Sequence, residues 1–389
     1  MKLFNTGKVP PMTFGAGRFA KVPELVAAMG GGPVLVVADA MLAQLGVTDQ
    51  LANNLSAKGI ACEMADVIAG EPKEALVDDL CARARETGCK TVIGLGGGAA
   101  MDASKVVAAI ASGDKPASAY VLAATPLPEN GLSAIAIPTT AGTGSEVTRT
   151  AIISDKDGMK NWFWGEELMF DRAVLDPELT LSVPPHITAW TGIDAVAHAL
   201  EGSTSRRTSR AGHLFGLEAL RILKEALPKA VADGSDIEVR SDVLWAATVA
   251  GLALHNCNTH MGHNLSHGLG SLARIHHGRA TGLGLEVSLP WLVERPEGGE
   301  NYAKAAEALG GAAKAEALPA AFQTLMRACG IAPELPQECA GVTVEALAVE
   351  MKNPANIGMA QNAACIIDDD GLNEMAARMM SLPLERATA

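Results

Sequence analysis

At 389 residues the chain is longer than one hydrophobic core usually supports, so two domains are the expectation. An apolar fraction of 48% with only 4% aromatic residues fits a helix-rich globular protein packed with Ala, Leu and Val, and excludes a disordered one. The formal net charge of −13 argues against nucleic acid or an anionic membrane surface as partner and leaves small molecules.

Cysteines stand at 62, 81, 89, 257, 329, 339 and 365, an odd number without C-x-x-C spacing, so neither a disulfide framework nor a thiolate zinc site is expected. The opening Met1-Lys-Leu-Phe-Asn-Thr-Gly carries no apolar signal core, and no uncharged run is long enough to span a bilayer. A reduced, cytoplasmic setting is the expectation.

In chain order, short β-branched runs at 34–38, 91–95 and 134–137 each end in Asp, Gly or Pro-Thr turn chemistry and read as strands. Residues 74–86 between the first two have helical periodicity, which together gives parallel strands with crossover helices and ligands bound beyond the strands' carboxyl ends. After the Pro184-Pro185 step the texture changes to long Ala/Leu-rich helical patterns, such as 209–227 and 241–254. The expected division is therefore an α/β domain with a parallel sheet over 1–184 and an all-α domain over 185–389.

Two glycine-rich loops follow strands in the first half. Gly94-Leu-Gly-Gly-Gly-Ala-Ala-Met-Asp-Ala-Ser-Lys105 opens a helix, where bare backbone can approach a diphosphate and the helix N-terminus adds favourable N–H dipoles. Thr139-Thr-Ala-Gly-Thr-Gly-Ser-Glu146 offers small hydroxyls to phosphate, ribose or base. Neither ends in the Gly-Lys-Ser/Thr of a P-loop, and either alone is also compatible with a simple turn. Asp39 closes the strand 34–38, where a carboxylate can accept both ribose hydroxyls of NAD and repel the 2′-phosphate of NADP; its position before the glycine loop suits a helix N-cap equally well.

In the second half Asp194 and His198 lie one helical turn apart, His263 and His267 repeat that spacing, and His277 precedes Gly278, where the backbone can bend. Two helices and a loop could close these around one cation. Either pair alone is a common accident on an apolar helix face; five such residues in a chain with nine histidines are not. A carboxylate with imidazoles suits Fe2+, Zn2+ or another late divalent metal rather than Mg2+ or Ca2+. His255, His260 and His276 lie off the pattern and are expected either behind the ligands or in a merely structural role.

These motifs resemble the iron-containing, or group III, alcohol dehydrogenases, and the likeness runs from Phe14-Gly-Ala-Gly17 through nearly the whole chain. It is carried by Gly96-Gly-Gly-Ala-Ala-Met-Asp-Ala-Ser-Lys105, Pro138-Thr-Thr-Ala-Gly-Thr-Gly-Ser-Glu-Val147, Thr191-Gly-Ile-Asp-Ala-Val-Ala-His-Ala-Leu-Glu201 and His263-Asn-Leu-Ser-His-Gly-Leu-Gly270 with His277-Gly278. The resemblance implies that 1–184 is a Rossmann-like dinucleotide-binding domain, with a metal in a cleft between it and the helical domain; a homodimer or larger homo-oligomer is the expected assembly. It implies Asp194, His198, His263 and His277 as metal ligands, and places His267 beside substrate and nicotinamide. Imidazole chemistry then makes His267 the candidate catalytic proton relay, with a fifth ligand or a brace behind the ligands as the alternative. Asp39 matches the residue selecting NAD, Gly96, Gly97, Gly98 and Asp102 the diphosphate loop, Thr139, Thr140 and Thr143 the second cofactor loop, and Lys160 a lysine that reaches the cofactor.

The chain departs from the family pattern at four places: Ala99 where Ser is common, Gly70-Glu71-Pro72 where many relatives have Pro-Asn-Pro, Asn161-Trp-Phe-Trp164 after Lys160, and His255 where an aromatic residue is frequent. The implied activity is reversible, metal-assisted hydride transfer between NAD and a small polar alcohol, aldehyde or ketone. Arg206, Arg207 and Arg210 after the first ligand helix raise the possibility of an anionic substrate group. A lyase like dehydroquinate synthase is the alternative, disfavoured because no lysine and arginine cluster is evident near the metal residues.

Overall fold

A computed structural model describes residues 3–386. The chain divides into two compact units, one made of Lys8–Thr140 with Ser145–Leu181, the other of Ser182–Ala389 with Met1–Gly7 and Ala141–Gly144.

The first unit holds eight strands: β1 (Met12–Phe14), β2 (Val34–Asp39), β3 (Cys62–Ile68), β4 (Thr91–Gly96), β5 (Ser133–Pro138), β6 (Thr150–Ser154), β7 (Lys160–Trp164) and β8 (Arg172–Leu175). Six form a parallel sheet in the order β1-β8-β5-β4-β2-β3, while β6 and β7 pair antiparallel as a separate hairpin. Its helices are α1 (Val22–Ala28), α2 (Ala40–Gln44), α3 (Val47–Ser56), α4 (Glu74–Glu86) and α5 (Gly98–Ile110).

The strands expected at 34–38, 91–95 and 134–137 are the centre of this sheet, and their continuous apolarity has a simple cause. Leu35 and Val37 pack with Val77 and Leu80 of α4 and Val106 of α5, whereas Val34, Val36 and Ala38 pack with Val22 of α1 and Leu51 and Leu55 of α3. Helices cover both faces, so 34–38, 91–95 and 134–137 are buried at every position. β3, at one edge of the sheet, has a mixed composition, and β1 and β8 are only three and four residues long. None of the three carries a strong strand signature.

Chain order reverses between β2 and β4, since β3 lies outside β2 and β5 lies beyond β4. The carboxyl ends at this switch point are Asp39 and Gly96. Ala38 is in register with Leu95, and a Cβ added to Gly96 would stand 3.2 Å from that of Asp39. In parallel α/β sheets such a crevice is where ligands bind.

The second unit is helical: α6 (Pro185–Thr204), α7 (Arg210–Ala232), α8 (Ile237–Cys257), α9 (Met261–Leu272), α10 (His277–Val293), α11 (Gly299–Ala308), α12 (Leu318–Ala328), α13 (Val344–Met351), α14 (Ile357–Ala360) and α15 (Asp369–Met380). Its core is one cluster centred on α6, with Ile193, Val196 and Leu200 against Leu220, Leu223, Val243 and Leu283. The pattern expected to stop at Leu227 continues through Pro228 to Ala232, where the fully buried Leu227 and Ala230 hold the last turn in place. No helix of the described residues is long and apolar enough to cross a membrane.

The tetrapeptide Ala141–Gly144 packs with the helical unit. A Cβ on Gly142 would come within 2.8 Å of the Thr191 carbonyl oxygen in α6, and one on Gly144, whose φ is +61°, within 2.4 Å of Gly251 Cα in α8.

In the first unit, Gly94 lets α5 lie close on β4: a Cβ there would meet the buried Ser104 Oγ at 2.3 Å. Gly94→Ala is therefore expected to lower stability by about 1–3 kcal/mol. Urea unfolding checks this, and a wild-type midpoint and slope would contradict it.

Candidate metal centre and dinucleotide loop

Asp194 and His198 project from α6 one turn apart, and both are buried. His263 and His267 do the same on α9, with His263 buried and His267 partly exposed. His277 is the first residue of α10, so a third helix, and not the expected loop, completes the set. Gly278 serves close approach rather than a bend, because a Cβ on it would lie 2.1 Å from the Trp190 carbonyl oxygen and 3.0 Å from Asp194 Cβ. Without that clearance α10 could not bring His277 to the carboxylate of α6.

Three side chains converge tightly. His263 Nε2 is 3.7 Å and His277 Nε2 3.6 Å from Asp194 Oδ1, and one ligand atom of each residue lies within 4.8 Å of the others. His198 belongs to the same cluster more loosely: its ring stacks on His263 at 4.7 Å and its Nε2 stands 4.0 Å from the other Asp194 oxygen, Oδ2. His267 is next to the group, its ring centre 5.4 Å from that of His277.

The electrostatics fit a cation. Asp194 Oδ1 and His263 Nε2 are buried and have no hydrogen-bond partner, although they face each other. Burial, followed by the neighbouring His198 ring, pushes the His263 pKa down to about 3 against the pull of Asp194, so the imidazole is neutral and keeps a lone pair. Among the described residues no lysine or arginine pairs with Asp194 or with the fully buried Glu201. A buried carboxylate oxygen and a neutral imidazole nitrogen that face each other without a partner are donors that a divalent cation would satisfy. The donor set of carboxylate and imidazole suits iron, zinc or another late divalent metal.

Behind the candidate ligands stand polar groups that orient them. Glu201 Oε2 lies 2.5 Å from His263 Nδ1, and its Oε1 accepts the Gly262 N–H at 2.7 Å. Ser266 Oγ lies 3.1 Å from His277 Nδ1 and is itself fixed by Thr281. His260, also fully buried, contacts Thr204 Oγ1 through Nε2 at 2.9 Å and lies 3.4 Å from Glu201 Oε1 through Nδ1. His276 packs against Trp190, and His255 abuts Gly7. The sequence reasoning missed Glu201 and Ser266. Glu201 had a readable signal, since positions 194, 198 and 201 fall on one helix face.

In the first unit, α5 has Gly97 as its N-cap and so no side-chain cap, which leaves its first N–H groups to another acceptor. Gly96 has φ +149°, a conformation that only glycine adopts readily. Thr139 N–H donates to the Gly96 carbonyl at 2.9 Å, and Thr140 Oγ1 stands 3.3 Å from where a Gly97 Cβ would be, so the two loops meet. Asp39 Oδ1 caps α2 by accepting Met41 N–H at 2.9 Å. Thr143 lies in the tetrapeptide that packs with the helical unit.

Two candidate cofactor contacts have protein partners of their own. Asp102 accepts Ser145 Oγ at 2.6 Å on one oxygen and Ile152 N–H at 2.8 Å on the other, and burial raises its pKa against the pull of Lys105. Lys105 is buried, donates to Thr148 Oγ1 and the Thr150 carbonyl, and is pushed down to about 8 by burial. Together they tie α5 to residues 145–152. Lys160 Nζ donates to Glu71 Oε1 at 2.7 Å, so the residue that departs from the family pattern holds the lysine implied to reach the cofactor. Arg206 and Arg210, with His213 and Asn301, line a hollow of about 410 Å3 that contains none of the metal-site residues.

Residues 10–177 match the family model described as iron-containing alcohol dehydrogenase, and residues 188–365 match the C-terminal domain of that family. The chain is 36% identical over 285 residues to a probable alcohol dehydrogenase EutG of Salmonella typhimurium, spanning 72% of this chain and 71% of the relative. Among solved structures, a sulfoacetaldehyde reductase from Bifidobacterium kashiwanohense in complex with NAD+ superposes with a TM-score of 0.88 at 28% identity, covering 98% of this chain and 100% of the other. A 1,3-propanediol oxidoreductase superposes equally well, with a TM-score of 0.88 at 27% identity over 97% of this chain and 100% of its own. The chain belongs to the iron-containing alcohol dehydrogenase family.

Proposed function

We propose that this protein is a metal-dependent, NAD-linked alcohol dehydrogenase that interconverts a small polar alcohol with its aldehyde or ketone. The observation that carries the proposal is the pair of buried, partnerless atoms Asp194 Oδ1 and His263 Nε2, which face each other at 3.7 Å in a group that His277 completes. Asp194, His198, His263 and His277 would hold the metal, Fe2+ first with Zn2+ or another divalent ion as substitute. When bound, that metal supplies Lewis acidity to a substrate oxygen and NAD supplies the hydride acceptor.

The rest is the work of the chain's own residues. The uncapped start of α5, with Gly96, Gly97 and Gly98, would receive the diphosphate, and Thr139, Thr140 and Thr143 the neighbouring polar groups. Asp39 at the switch point would accept the ribose hydroxyls. Asp102 acts through the loop it braces, and Lys160 reaches the cofactor only by sharing itself with Glu71. His267, one turn along α9 from His263 and partly exposed, would carry the proton between substrate hydroxyl and solvent. The seven cysteines, all free thiols, fit a cytoplasmic setting. A homodimer or larger homo-oligomer is the expected assembly, read directly by light scattering.

Protein supplied with Fe2+ or Zn2+, NAD and simple diols should accumulate NADH, followed by absorbance; a lyase that recycles its cofactor would not. His263→Ala should lose metal and turnover together, and full activity of metal-stripped wild type would overturn the metal's role. His267→Ala should lower kcat on the order of 10²-fold while metal content stays at wild type. A parallel loss of metal would instead make His267 a ligand. Asp39→Asn keeps the α2 cap and removes the charge, so the ratio of kcat/KM for NADP over NAD should rise at least about tenfold. An unchanged ratio would remove Asp39 from ribose recognition. Matched neutral and anionic short-chain alcohols decide whether the arginines near α7 matter; equal rates exclude them.

A further inference from the structure

We propose that Glu201 is the positioning residue of the metal centre: its carboxylate fixes His263 as the Nδ1–H tautomer and so keeps the Nε2 lone pair free for a cation. It rests on the metal-binding role proposed above and concerns a residue outside the candidate ligand set.

Glu201 lies on α6 seven residues after Asp194, two turns along the same helix face. It is wholly buried, and its two oxygens meet two different donors. Oε1 accepts the Gly262 N–H at 2.7 Å, and Oε2 lies 2.5 Å from His263 Nδ1. A backbone N–H can only donate, and a carboxylate oxygen can only accept. His263 Nδ1 must therefore carry the ring's proton, which leaves Nε2 unprotonated, 3.7 Å from Asp194 Oδ1.

The demand is specific to a carboxylate. A glutamine in the same place has one oxygen, and the Gly262 N–H claims it, since that donor has no alternative form. The amide NH2 would then face His263 Nδ1, and the imidazole could answer only as an acceptor, by moving its proton to Nε2. That atom would then point a hydrogen at Asp194 where a cation needs an electron pair. Glutamine matches glutamate in size, so the substitution changes the hydrogen-bond code and not the packing.

The test uses full-length protein stripped of metal. Zn2+ and Co2+ affinities are measured by chelator competition for wild type and Glu201→Gln, with the thermal midpoint of each apo form. The His263 tautomer is read from long-range nitrogen–carbon correlations in histidine-labelled protein. The expected result is a 10- to 100-fold loss of affinity in Glu201→Gln, a switch of His263 to Nε2–H, and an apo midpoint close to that of wild type. Wild-type affinity in the variant, or an unmoved tautomer, would overturn the role of Glu201. A brace that served folding alone would lower the midpoint without moving the tautomer. If Glu201→Gln does not fold, the metal-free wild type still decides the matter, because His263 found there as Nε2–H refutes the proposal. A wild type that binds neither ion would instead refute the metal centre itself, with the tautomer still reporting on Glu201.

Discussion

Two carboxylates buried without a basic partner set the terms for the helical unit. An isolated ionised carboxylate in an apolar interior costs on the order of several kcal/mol, and Asp194 and Glu201 stand on one face of one helix. His263 does not relieve them by taking a proton, since burial pushes its pKa down to about 3. What relieves Glu201 is a set of N–H donors from the start of α9. Asp194 has no such set, and its Oδ1 is left open towards His263 and His277. The close crossing of α6 and α10 at Gly278 then makes sense as the arrangement that brings a third nitrogen to the open oxygen.

The parallel sheet presents a different constraint, backbone rather than charge. Reversal of strand order between β2 and β4 exposes two strand ends side by side, and the sequence places there one carboxylate and one bare glycine. Asp102 and Lys105, one turn and more into α5, turn away from the loop mouth and fasten the helix to residues 145–152. The polar groups of this loop thus divide between an uncapped helix start, open to an anion, and buried pairs that hold the helix still.

Central strands and long helices were legible because their burial is complete or periodic. The runs at 34–38, 91–95 and 134–137 are buried at every position and apolar except for Thr91, because both faces of the sheet are covered. The edge strand β3 escaped because its composition is mixed, and β1 and β8 because they are only three and four residues long and pair with each other from opposite ends of the unit. The histidine and aspartate spacing picked out the side chains that gather around Asp194. It did not disclose that His277 starts a helix, that Gly278 acts by clearance, or that His198 addresses a different oxygen of Asp194 from the other two imidazoles. Lys160 illustrates the limit of resemblance: its partner is Glu71, the very position at which this chain leaves the family pattern.

Neither unit is a single stretch of chain. The polypeptide leaves the helical unit after Gly7, returns for four residues at Ala141–Gly144, and returns for good at Ser182. Those four residues fit against α6 and α8 at points where Thr191 and Gly251 leave no room for a side chain. A fragment made by cutting before Ser182 would lack this inset and bare the backbone of two core helices. The molecule therefore resists dissection by a single scission, and recombination with a relative would have to exchange the inset together with the helices that seat it.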